Sequence, residues 1–138
     1  MSVMYPVAVM AFMTFFVGLL VLFARVRSVN AAAVPMSFYE VFAGAEPPVY
    51  VLKTTRHWAN LFEAPVLFYV ACLAALAVNL GQGLFVQLAW AYAIVRLAHS
   101  LIHLTYNRVS HRLTMFLLSQ GLLIAMWVLL VLRIAQAQ

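Results

Sequence analysis

Four long apolar runs constrain this chain before any other feature does. The first occupies about 3–25 and is uncharged as far as Ala24. At about 1.5 Å per helical residue it is long enough to cross roughly 30 Å of hydrocarbon. Three more runs occupy about 54–79, 84–106 and 111–134. Backbone inside lipid must satisfy its own hydrogen bonds, so each run is expected to be a helix. Of the 138 residues, 67% are hydrophobic and 8% charged, which is more apolar surface than a soluble core of this size covers. The expected fold is therefore an all-α integral membrane protein: an antiparallel four-helix transmembrane bundle forming one domain over 1–138, without an internal repeat. The first run has a rival reading as a secretory signal, because Ala31-Ala32-Ala33 resembles a cleavage region. Its flanks oppose that reading, since no Lys or Arg precedes the run whereas Arg25 and Arg27 follow it.

The connections are unequal. Residues 28–53 hold Pro35, Gly44 and Pro47-Pro48 among aromatic residues, which predicts a membrane-surface loop with a short helix around Met36 to Phe42. Pro65 predicts a local kink in the second span. Asn79-Leu80-Gly81-Gln82-Gly83 reads as a tight turn, and Asn107-Arg108-Val109-Ser110 as a short polar break. Such short links favour antiparallel neighbours. Lys and Arg cluster in the first connection (Arg25, Arg27, Lys53, Arg56) and the third (Arg108, Arg112), and none lies in the second. The positive-inside bias then places the first and third connections in the cytoplasm and both termini on the non-cytoplasmic side, in what is expected to be a bacterial inner membrane. Nucleic acid is excluded as a partner despite the net charge of +5, because the basic residues form no stripe on a soluble surface. Cys72 is the lone cysteine and sits among Ala71, Leu73 and Ala74, which reads as an inert buried thiol.

The charges carried into the apolar runs matter most for function. Arg56, Asn60 and Glu63 fall on one helix face at about 100° per residue. In the third span Arg96, His99, His103 and Tyr106 follow at spacings of three, four and three, with Asn107 beside them. Arg96 lies about 12 residues from the ends of its span, hence roughly 18 Å deep, where a lone arginine costs about 2.5–3.5 kcal/mol even on insertion scales. Glu63 is the expected partner. One such pair can simply fasten two helices. The surplus of donors around it points instead to an anionic ligand held by bidentate arginine contacts. A metal or haem on His99 and His103 is a weaker alternative, opposed by the neighbouring arginines. His57 and Trp58 read as interfacial anchors, and Trp90, Trp127 and the methionines as packing residues.

These motifs resemble the MAPEG family, membrane-associated proteins in eicosanoid and glutathione metabolism, in the form of bacterial microsomal-glutathione-transferase-like members. The resemblance rests on Arg56-x-x-x-Asn60-x-x-Glu63-x-Pro65 opening the second span, Arg96-x-x-His99 in the third, and Arg112 starting the fourth. It implies a homotrimer of four-helix subunits that binds glutathione between neighbours. By resemblance Arg56, Asn60, Glu63 and Arg96 hold the tripeptide, with His99 and Tyr106 on the same stripe, and Arg112 stabilises the thiolate, helped by Arg108. The implied activity is that of a glutathione-dependent transferase or peroxidase acting on an apolar electrophile or lipid hydroperoxide. Two positions depart from the family pattern. Ala59 stands where several active members carry a second arginine, and His103 where a tyrosine is common, which makes His103 a candidate hydrogen-bond or proton donor. The alternative is a noncatalytic membrane protein, either an accessory subunit of a larger membrane complex or a lipid-binding module. Transport is disfavoured because the chain has no repeated halves.

Overall fold

The computed structural model describes residues 2–136. Among the described residues the secondary structure is all helical: α1 (Met4–Asn30), α2 (Phe38–Val41), α3 (Val49–Leu61), α4 (Ala64–Ala77), α5 (Leu84–Leu104) and α6 (Val109–Gln136). Four stretches are long and apolar enough to cross a membrane, namely α1, the α3–α4 pair, α5 and α6. They pack as a four-helix membrane bundle. The periodicity of α1 shows how, for Met10, Met13, Val17, Val21 and Ala24 are buried at spacings of three and four, while Phe12, Phe16 and Phe23 stand exposed on the opposite side. An exposed phenylalanine is inexpensive where the surroundings are lipid tails.

The centre of the bundle is α5, which packs on α6, α1 and α3. A four-residue turn joins α5 to α6, so these two run antiparallel in the most extensive contact of the fold. Toward its beginning α5 buries Phe85, Val86, Ala89, Tyr92 and Ala93, which meet Phe68, Ala71, Cys72 and Ala75 of α4 in the common core. Across this core the Tyr92 ring stacks on Phe68 with centroids 4.5 Å apart and planes 11° from parallel. Cys72 is fully buried there.

Three local features differ from the sequence reading. The second span starts at Val49 and is broken, with Phe62 and Glu63 outside either helix and Glu63 at φ −94°, ψ −110°. Pro65 near the start of α4 is the cause, because it has no N–H to continue the α3 ladder. His57 is no surface anchor, being fully buried. Trp58 fills a notch on α1, where a Cβ on Gly18 would lie only 2.7 Å from its ring. That glycine therefore permits the close approach of α3 to α1.

The loop before α3 is tied back onto α1. Ser28 Oγ and Tyr39 OH lie 2.6 Å apart. The Arg25 guanidinium sits over the rings of Tyr39 and Phe42 at 5.5 and 5.1 Å.

Candidate functional site

The break between α3 and α4 builds one side of the site. At the break the Asn60 carbonyl accepts only a long 3.4 Å backbone bond, from Glu63 N–H, and takes a further 3.3 Å bond from Arg96 Nη2 on α5. The Asn60 side chain accepts a second bond from the same Nη2 at 2.9 Å, and its Nδ2 donates to Glu63 Oε2 at 3.2 Å. Both contacts agree with one orientation of the amide. The direct Glu63–Arg96 pair expected from spacing is therefore replaced by a relay through Asn60. Glu63 lies outside the helix, yet its carboxylate still meets the Asn60 side chain, as their shared face led one to expect. Arg96 is fully buried, and its Nε and Nη1 have no partner among the described residues.

The other side comes from the end of α5 and the start of α6. His99 Nδ1 lies 3.1 Å from the backbone carbonyl of Arg112. A carbonyl only accepts, so Nδ1 carries the proton and Nε2 the lone pair. Arg112 Nη1 donates to Asn107 Oδ1 at 2.8 Å and more weakly to His103 Nε2 at 3.4 Å. Behind these, the His57 ring lies 4.8 Å from that of His103 and 6.1 Å from that of His99, centroid to centroid. Neither His57 nitrogen has a partner among the described residues. Among the described residues no group of three His, Cys, Asp or Glu is arranged to hold a metal ion.

Between the two sides lies a cavity of about 550 Å³, lined by Arg56, Ala59, Asn60, Glu63, His99, His103, Val109, Arg112, Leu113 and Phe116. Its volume falls within the roughly 300–1,000 Å³ of small-molecule sites. Six candidate residues from the sequence thus line one space: Arg56, Asn60, Glu63, His99, His103 and Arg112. Arg96 stands behind Asn60, outside the lining. Tyr106 and Arg108 do not join the cavity lining either. Because α5 ends at Leu104, the helical stripe stops short of Tyr106, which is exposed and bonds His111 Nδ1 at 3.0 Å. Arg108 is exposed in the turn before α6. The sequence reading placed His57 in the membrane interface, although its place one residue after Arg56 turns it toward α5. Asn107, noted only as a neighbour of the stripe, proves to be a direct partner of Arg112.

The lining carries two guanidinium groups and one carboxylate, with two imidazoles and the Asn60 amide between them. Leu113 and Phe116 supply an apolar wall on α6. Such a space suits a ligand with carboxylates at one end and an apolar reaction partner at the other.

No curated protein and no solved structure matches the chain. The MAPEG family model matches residues 3–132, nearly the whole length. Four membrane-length helices and this continuous match together show that the chain belongs to the MAPEG family.

Proposed function

We propose that this protein binds glutathione in the Arg56–Asn60–Arg112 cavity and uses its thiolate in a transferase or peroxidase reaction. One observation carries the reading: two arginines face a cavity whose lining holds a single carboxylate, Glu63, already bonded to Asn60. The surplus positive charge calls for an anion, and the family includes glutathione-dependent enzymes. Arg56 and Asn60 would take the carboxylates and backbone of the tripeptide, while Arg96 holds Asn60 in place from behind. Glu63 would accept from the amino group, so it is a binding carboxylate and no general base.

The reacting sulfur would then face Arg112. A free thiol has a pKa of about 8.5, and an adjacent guanidinium enlarges the anionic fraction at neutral pH. With an apolar electrophile, the thiolate forms an S–C bond as the leaving group departs with the electron pair. With a hydroperoxide, sulfur attacks the terminal oxygen, the O–O bond breaks, and the alkoxide takes a proton. A second glutathione converts the resulting sulfenic acid to disulfide and water. Substrates of both kinds would arrive from lipid along the Leu113 and Phe116 wall.

In this reading the functional unit is a homotrimer with sites between subunits. Its first and third connections lie in the cytoplasm, and both termini on the opposite side of a bacterial inner membrane. The noncatalytic reading, an accessory subunit or lipid-binding module, is favoured by one observation: Ala59 lines the cavity, so the extra guanidinium of several active relatives is missing there. Equilibrium binding of glutathione to the purified protein, followed by turnover with a general electrophile and with a lipid hydroperoxide, tests the proposal. Saturable binding with turnover supports the enzyme, binding without turnover the accessory role. Absence of binding at millimolar glutathione removes the thiol chemistry altogether.

A further inference from the structure

In the turn between α5 and α6, one residue serves Arg112 with both its backbone and its side chain. Asn107 follows the end of α5 in the left-handed region, at φ 51°. Its N–H reaches back to the Ile102 carbonyl at 2.8 Å, which ties the turn to the last helical turn of α5. Asparagine is among the few L residues that adopt this conformation at low cost. From there the carboxamide meets the first turn of α6, and Oδ1 accepts the 2.8 Å bond from Arg112 Nη1. The weaker 3.4 Å contact from His103 falls on the same nitrogen. Both side-chain bonds of Arg112 among the described residues thus use Nη1, which leaves Nε and Nη2 for a ligand in the cavity.

We infer that Asn107 is a positioning residue for Arg112, aiming the guanidinium into the cavity without itself touching the reacting sulfur. A long arginine side chain loses much rotamer freedom when fixed, so a preformed acceptor on a rigid turn removes that cost before the ligand arrives. The catalytic consequence rests on the thiolate reading above, whereas the clamp exists without ligand.

The two can be tested apart. Asn107→Gly keeps the left-handed turn and deletes the acceptor. In ligand-free, full-length protein in detergent, nitrogen NMR of the Arg112 guanidinium, assigned through Arg112→Lys, should show rotation about the Cζ–N bonds at least about tenfold faster in Asn107→Gly. Asn107→Asp restores an acceptor, now charged, and should slow the rotation to the wild-type rate or below. Unchanged rotation in Asn107→Gly overturns the inference, and so does a failure of Asn107→Asp to restore it. With glutathione bound, thiolate absorbance should show Asn107→Gly moving the thiol pKa toward the free value, and no further change when Asn107→Gly is added to Arg112→Ala. An equal effect of Asn107→Gly in both backgrounds would contradict action through Arg112. If wild type binds no glutathione, the thiol reading fails, and the NMR result still decides the role of Asn107.

Discussion

The two halves of α5 are built on opposite principles. The half from Phe85 to Ala93 is apolar and close-packed, with small residues and the Phe68–Tyr92 stack filling the space against α4. The half from Arg96 to His103 buries a guanidinium, two imidazoles and a hydroxyl, and leaves Arg96 Nε and Nη1, His99 Nε2 and His103 Nδ1 without partners among the described residues. Unpaired buried polar groups cost stability, and each calls for an explanation. A stretch selected for rigidity alone would have continued the pattern of its first half. The first half leaves Trp90 Nε1 and Tyr92 OH without partners among the described residues, but the unpartnered guanidinium and imidazole groups all belong to the second half, in keeping with the binding role proposed for the cavity beside it.

That contrast can be broken by substitution. Phe68→Ala should have the largest effect on stability, a loss of about 3–5 kcal/mol, because it empties a fully buried ring site. Thermal or denaturant unfolding in detergent reads it, and glutathione affinity should change little in the protein that remains folded. Asn60→Ala comes next. It severs the relay from Arg96 to Glu63 and should cost about 1.5–3 kcal/mol of glutathione binding, tenfold or more in affinity by calorimetry. Equal affinity in wild type and variant would mean that the relay is only a helix fastener. Tyr92→Phe should do least. Its hydroxyl is buried without a partner among the described residues, so removal should change stability by less than about 1 kcal/mol, in the stabilising direction. A larger loss would show that the apolar half holds a polar contact of its own.

The parts of this molecule legible in its sequence are those governed by an unbroken helical period. The spans could be read because continuous apolar runs leave a membrane chain few options. His99 and His103 could be placed together because both lie inside α5. Reasoning by face failed wherever the helix ended. Glu63 sits at a break set by Pro65: it keeps its place beside Asn60 in the cavity lining, but the Asn60 amide takes its expected place as the direct partner of Arg96. Tyr106 lies beyond Leu104, so the stripe that includes His103 does not include it. The burial of His57 and the notch at Gly18 depend on which helix lies opposite, and a single chain read in order carries no periodic signal for that. Asn107 did carry a local signal: an asparagine in a short link between helices adopts the left-handed conformation at low cost. Its partner was one turn away on the next helix.

The central claim is that Arg112 acts on a thiol bound in the cavity. Titration of the thiolate absorbance of bound glutathione, in wild type and in Arg112→Ala, tests it most directly. A thiol pKa well below about 8.5 in wild type and close to that value in the variant is the expected result. The same pKa in both proteins would contradict the claim.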